Sequence, residues 1–428
     1  MSVKKYYFIG KNQLFPICRS ITGAGIRKSL KIIKNNFPKL RISNVKSGKK
    51  VFDWKIPDEW NIKSATIKDK NNNILVDFKD NNLHVIGYSI PVNKYLNKKS
   101  LLKKLHSIKN KPNAIPYMTS YYKRNWGFCV TEKQKKFINK NYNKNDQFKV
   151  SINSSFNKNG YLSFGEYFIK GKSKKEILIT TYLCHPSMAN NELSGPLVSM
   201  LLINHYKKKK LPFSIRFIFI PETIGSITYL SKNLNHLKKN MIAGFNLTCI
   251  GDERKYGCML SKYKNSISDK ALLETYKKLN IKFEEYPFTE NGSDERQFNY
   301  PGIDLPVASI FRSKYGTYPE YHTSLDNFNL VTEKGLTQSL KFVKALIDNI
   351  QKKIIPQNLI LCEPQMSKRG LYPTLSNLKT MGSTKKIMNF LQFADGKNDL
   401  KEISKIINLN FKKTSYIYRV LKNKKLLI

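Results

Sequence analysis

The sequence predicts an α/β protein: a mostly parallel sheet flanked by helices, with a small β-rich inserted domain and a C-terminal winged helix-turn-helix. Three observations predict it. Four apolar runs, 177–183, 214–220, 241–250 and 306–311, alternate with helical patterns, as parallel strands buried on both faces do. From 51 to about 95 the texture changes to short apolar runs broken by Asn-, Asp- and Lys-rich turns. Beyond a linker holding Pro356 and Pro364, residues 383–428 carry three short helical stripes.

Residues 12–36 place Leu14, Ile17, Ile21, Ile26, Leu30 and Ile33 at loosely helical spacing. The runs 62–67, 74–78 and 83–90 belong to the β-rich unit, and 100–108 reads as a helix. The Pro- and Tyr-rich stretch 111–128 shows no clear period. ILITTYL (177–183) is the first buried strand, and Pro196 suits the first turn of a helix over about 196–206. SIRFIFI (214–220) precedes a helix from about 225, MIAGFNLTCI (241–250) a helix near 268–279, and PVASIF (306–311) a long helix over about 332–352. Ile387 and Leu391, then Leu400, Ile403, Ile406 and Ile407, then Ile417, Val420 and Leu421 mark three final helices, with Asp395-Gly396 turning after the first. The expected division is 1–50 with 147–355 as the α/β domain, 51–146 as the insert, and 370–428 as the winged helix.

At 428 residues the chain has material for two to three domains. Its 76 Lys+Arg against 30 Asp+Glu give +46, which invites a nucleic-acid reading. Ten arginines against 66 lysines argue otherwise, because arginine is the side chain that reads phosphate and guanine bidentately. The lysines are dispersed, and the expected recognition helix, 412–422, holds a single arginine, Arg419. Nucleic acid is therefore not an expected partner; a small-molecule or peptide-like substrate is, and a homo-oligomer stays open. The six cysteines show no paired metal spacing. MSVKKYYFIG has no secretory core, and no stretch approaches the roughly 18 apolar residues of a membrane helix. A reducing cytoplasm is the expected location.

Ligands bind beyond the carboxyl ends of parallel strands. His185 follows the first strand in CHPSMANNELSG (184–195), and Glu222 follows the second in PETIGS (221–226). Gly251-Asp252-Glu253-Arg254 follows the third, where Asp252 and Glu253 read as turn residues. NGSDERQF (291–298) holds Asp294, Glu295 and Arg296, and SKYGTYPEYHTSLD (313–326) holds Tyr321, His322 and Asp326. A carboxylate directly after a buried strand is suited to proton transfer when partly desolvated.

These segments resemble the di-zinc aminopeptidases and the related glutaminyl cyclases. LFPICRSITGAGIR (14–27), VFDWKIPDEWNIKSA (51–65) and IPYMTSYYKRNWGF (115–128) extend the likeness to aminopeptidase-like proteins associated with surface-polysaccharide genes, which also carry a C-terminal winged helix. The resemblance implies a zinc-exopeptidase-like sheet and a metal-dependent hydrolase that cleaves an amide. It gives His185 and His322 as metal ligands, Glu222 as general base and Asp294 as an active-site acid. Glu295, Arg296 and Tyr321 become substrate-binding residues. It also puts Asn191, Thr223 and Thr248 where that clan has carboxylate ligands. One zinc ion, with Asn191 lending a carbonyl oxygen, is thus expected rather than two, and metal-free chemistry or a degenerate binding role stays open.

Overall fold

The computed structural model describes residues 3–372 and 378–428; residues 373–377 of the expected winged-helix unit lie outside that description. The chain opens with α1 (Val3–Phe8), which runs into a π-helical turn over Ile9–Leu14. Pro16 follows, and helix resumes only at α2 (Ala24–Asn36). The six apolar residues noted over 12–36 are all buried, although one helix does not carry them.

β1 (Arg41–Lys46), β2 (Lys50–Val51) and β3 (Trp54–Lys55) lead to β4 (Glu59–Lys68), β5 (Ile74–Asp77) and β6 (Val92–Asn97). Then come α3 (Lys98–Leu102), β7 (Leu105–His106), β8 (Phe128–Cys129), α4 (Glu132–Asn141) and β9 (Gln147–Asn157). An antiparallel sheet of order β5-β4-β9-β6 results, and β9 draws it past residue 146 because that strand pairs with β4 from Asn157 back to Lys149. The run 83–90 is not a strand. It holds a 3₁₀ turn at Asn82–His84 and isolated bridges from Val85 and Gly87, so its apolar residues are buried without a ladder. The helix expected over 100–108 stops at Leu102, because Leu105 and His106 pair with Phe128 and Cys129.

The α/β core runs β10 (Tyr161–Ile169), β11 (Glu176–Tyr182), α5 (Ser194–Tyr206), β12 (Ser214–Ile220), α6 (Ile224–Asn240), β13 (Met241–Leu247), β14 (Tyr256–Met259), α7 (Ile267–Lys278), β15 (Phe283–Tyr286), α8 (Glu295–Phe298), β16 (Val307–Phe311) and α9 (Glu333–Gln351). The sheet order is β1-β10-β12-β11-β13-β16-β14-β15, with β12, β11, β13 and β16 mutually parallel. Every residue of β11 and β12 is buried, as continuous apolar runs require. Along β12, Ile215, Phe217 and Phe219 join the apolar cluster of α1, α2, α5, α7 and α9, while Ile218 and Ile220 join that of α6 and α8. The alternation shows helices on both faces. β14 and β15 are not apparent in the sequence, being four residues each, and the third strand ends at Leu247 rather than 250 because Cys249 turns with φ 48°.

After β11 the chain crosses to β12 on one side and then to β13 on the other, which makes a switch point beyond their carboxyl ends. At the opposite end lies the winged helix: α10 (Leu378–Phe393), α11 (Leu400–Ile406) and α12 (Phe411–Asn423), with its own apolar cluster. Bridges Gln357–Asp395 and Asn358–Leu427 tie it to the linker. Lys353 reaches Asp399 at 2.5 Å and Glu274 at 3.0 Å, and Lys270 reaches Glu402 at 2.8 Å. No helix among the described residues is long and apolar enough to cross a membrane.

Candidate active site

The loop after β11 is shaped by backbone capture. Asp326 accepts the N–H groups of Ala189, Asn190 and Asn191 at 3.2, 2.5 and 2.9 Å, and Tyr318 donates to it at 2.8 Å. Burial still lifts its pKa to about 6. Asn190 links the loop to the next strand end through Asp252 and the Gly251 N–H. Asp252 and Glu253 do more than turn the chain locally: Asp252 accepts the Arg254 N–H but also Asn190 and Ser313, and Glu253 accepts the Thr332 hydroxyl and pairs with Lys334.

This frame holds His185, buried at the mouth of the switch point. Its Nδ1 lies 2.8 Å from Glu192 Oε2, and its Nε2 lies 3.6 Å from Glu222 Oε2. Arg19 braces the pair from behind: its Nε donates to the His185 carbonyl at 2.9 Å and sits 3.5 Å from Glu192 Oε1. Burial alone would lower the His185 pKa, but the Cys184 sulfur and Glu192 outweigh it and hold it well above the usual value. Cys184 Sγ, His185 Nδ1 and Glu192 form a compact donor cluster within 4.8 Å. Its members already bond one another, and burial pushes the Cys184 thiol up to about 11, so this cluster reads as a brace.

Glu222 follows β12 on a tight γ-turn. Ile224 N–H donates to the Glu222 carbonyl at 2.7 Å, and Thr223 between them adopts φ 60°, ψ −75°. A β-branched residue resists positive φ, so the turn must be imposed. Asp294 imposes it, accepting the Thr223 N–H at 2.8 Å and the Ser226 hydroxyl at 2.9 Å. Ser293 holds Glu222 Oε1 at 2.7 Å, leaving Oε2 toward His185. Burial raises the Glu222 pKa, although His185 and the Ser293 bond oppose the shift. Burial and neighbouring Glu222 raise that of Asp294 well above the usual range.

His322, at φ 53°, stacks on Tyr321 at 3.9 Å between ring centres and lies 5.5 Å from the His185 ring. Burial, then the adjacent His185, pushes its pKa down to about 3, so it stays neutral. Tyr117 stands edge-on to both imidazoles at 5.0 Å. Thr248, Tyr182 and Asn191 form a neutral chain through bonds of 2.5 and 2.7 Å. It leaves buried Asn191 Oδ1 without a partner, as is Asp294 Oδ2.

The structure thus brings His185, Glu222, His322 and Tyr321 side by side, with Asp294 bonded to Thr223 next to Glu222 and Asn191 joined to His185 through Tyr182. Glu295 is nearby but turned to the loop: it accepts from Gly292, Ser293, Tyr315, Asn246 and Ser309. Arg296 is exposed and bonded to Asn291. Arg19, Glu192, Ser293 and Tyr117 are not reached by the sequence argument. Arg19 could have been, since arginine is scarce in this chain and one beside an apolar run invites a buried partner. A cavity of about 200 Å³ opens on Cys184, His185 and Glu222 and is walled by Trp54, Tyr121 and Tyr122 from the insert.

Comparison with known proteins fits this architecture. The family described as a domain of unknown function (DUF4910) matches residues 8–353, and a winged helix-turn-helix family matches 354–428. A Clostridium acetobutylicum protein, provisionally named a polysaccharide biosynthesis protein with an aminopeptidase-like domain, is 43% identical over 418 residues, covering 95% of this chain and 93% of that one. A crystal structure from the same organism, provisionally titled a peptidase, superposes with TM-score 0.79 at 40% identity, covering 100% of this chain and 96% of that one. A zinc aminopeptidase from Bacillus subtilis shares the fold at TM-score 0.60 and 15% identity, over 82% of this chain and 96% of that one. The aminopeptidase-like α/β fold and the winged helix are therefore shared features, and the chain belongs to the DUF4910 family.

Proposed function

We propose that this chain is an aminopeptidase-like amide hydrolase acting on a surface-glycan or peptide-like precursor. The carrying observation is the Glu222 carboxylate: partly desolvated, fixed by Ser293, and facing His185 Nε2 across 3.6 Å at the cavity. The named role of the C. acetobutylicum relative supports the glycan context.

We read the donors as suiting one divalent ion rather than two. His185 Nε2, the His322 ring and the unpartnered Asn191 Oδ1 could hold a zinc ion, while Thr223 and Thr248 offer no carboxylate for a second. Such an ion, when bound, polarises the scissile carbonyl and acidifies water. The chain does the rest. Glu222 Oε2 takes the proton of the attacking water, whose oxygen bonds to the acyl carbon. As the carbon–nitrogen bond breaks, Glu222 returns that proton to the leaving nitrogen. Glu192 fixes which His185 nitrogen faces the cavity. Asp294 holds the turn that aims Glu222.

Glu222→Gln is expected to lower turnover about 10²- to 10⁴-fold, the usual share of a general base. It should leave the metal content, read by elemental analysis, at one ion per chain. Unchanged turnover would sink the assignment. A second reading is a binding protein on a degenerate peptidase fold, favoured by the neutral Thr248–Tyr182–Asn191 chain. It predicts no turnover for either form.

A further inference from the structure

We propose that the substrate is an N-acylated amino sugar, with its acylated nitrogen at the His185–Glu222 end of the cavity and its ring against Trp54 and Tyr122. This rests on the amide-hydrolase reading and adds to it the class of molecule cleaved.

The first argument is electrostatic. An enzyme that trims a free amino terminus needs a carboxylate to seat the substrate ammonium. Glu222 is the carboxylate that lines this cavity, and its two oxygens face Ser293 and His185. Glu192 lies between His185 and Arg19, Asp326 is filled by four donors, and Glu295 by five. Asp294 is fully buried and does not line the cavity. Beyond Tyr121 and Tyr122 an adjoining cleft of about 130 Å³ carries Lys123 and Arg124, and its Asp58 is held by Arg124 at 2.7 Å. Apart from Glu222, which the hydrolase reading reserves for the attacking water, a protonated amine meets cations and no free anion along this path. An acylated nitrogen carries no charge and needs no such seat.

The second argument is shape. Trp54 and Tyr122 stand edge to face, 5.5 Å between centres, and Tyr121 continues the wall at 6.4 Å from Tyr122. Their planes cross at 69° and 73°, so each offers a separate apolar ring face. Ser120, Lys123 and Arg124 rim the adjoining cleft with hydrogen-bond donors. A pyranose has apolar ring faces and a girdle of hydroxyls, which suits one aromatic face beside a polar rim. A purely apolar side chain would leave that rim unused. The cavity, at about 200 Å³, lies below the usual range of small-molecule pockets, roughly 300–1,000 Å³, and so suits one ring with a short acyl group.

Hydrolysis would give a carboxylate and the free amino sugar, with the water oxygen on the acyl carbon and the proton on nitrogen. The test uses the full chain with N-acetylglucosamine, glucosamine and leucine 4-nitroanilide, measuring binding by calorimetry and turnover by released acetate or nitroaniline. N-acetylglucosamine is expected to bind more tightly than glucosamine and to lose acetate, with no nitroaniline released. Tyr122→Ala, at a side chain 58% exposed and so tolerant of change, is expected to weaken that binding about tenfold, as loss of an aromatic contact implies. Release of nitroaniline without binding of the N-acetyl sugar overturns this inference and leaves the hydrolase reading standing. Binding of the N-acetyl sugar in the expected order, without turnover at any zinc loading, supports the seat and overturns the hydrolase reading. Tighter binding of glucosamine, or equal binding by Tyr122→Ala, overturns the inference.

Discussion

Arg19 is 1% exposed, and the carboxylate that balances it is Glu192, itself fully buried. Removing one partner of a buried pair leaves the other charge in a low-dielectric setting. Glu192→Gln is therefore expected to destabilise the fold by about 3–5 kcal/mol in urea unfolding. A loss below about 1 kcal/mol would place the pair among weakly coupled surface ions. The same change should also free His185 to turn its ring. His185, Glu222 and His322 were legible in the sequence because each follows a strand or sits in a distinctive polar segment. Their braces were not. Arg19 precedes β11 by a domain's length, and Glu192 lies in a loop whose fold is fixed by Asp326, so sequence distance hides both contacts. Glu295 was read as a substrate contact from its neighbours, yet five donors, from Gly292 and Ser293, from β13 and β16 and from Tyr315, commit it to an internal network.

The joint between insert and core rests on Glu59 of β4. It accepts a two-pronged bond from Arg27 of α2 at 2.6 and 2.7 Å and the Tyr161 N–H of β10 at 2.9 Å. Gly160 makes room for it, since a Cβ there would lie 2.1 Å from Glu59 Cβ. Burial alone would raise the Glu59 pKa, but Arg27, Tyr161 and Asn61 outweigh it and hold it below the ordinary 4.5. A depressed carboxylate contributes stability that is full above its unfolded pKa and is lost as pH falls through the folded one. The melting temperature of the native chain should therefore fall more steeply than that of Glu59→Gln once pH drops below 4.5. A gap between the two that stays constant from neutral pH to strong acid would contradict the assignment. Elements with long uninterrupted apolar runs were legible, β11 and β12 above all. Short ones such as β14 and β15 were not, because four residues show no period and their places are set by pairing, β14 with β16 and β15 with β14.

Across the whole molecule the net charge is +46, and most of it is lysine spread over the surface. Self-repulsion of that size destabilises a compact state and is screened by salt, over about 10 Å at 0.1 M. Raising salt from about 0.01 M to 0.15 M is expected to raise the melting temperature by a few degrees. A fall would show that the attractive contacts, such as those of Lys353 with Asp399 and Glu274, outweigh the repulsion. The texture changes near residue 51 and after Pro364 mark where the small antiparallel sheet begins and where the C-terminal helices follow. The closing of the insert's sheet by β9 was not, because strand pairing across the insert leaves no mark on composition. One consequence concerns the order in which the molecule becomes competent. The γ-turn at Thr223 is held by Asp294, 71 positions along the chain. A nascent chain that has made β12 but not the 291–295 loop has no anchor for that turn, so Glu222 has no fixed aim. The carboxylate proposed to take the proton is thus aimed late in synthesis, and a truncated product would carry the residue without its anchor.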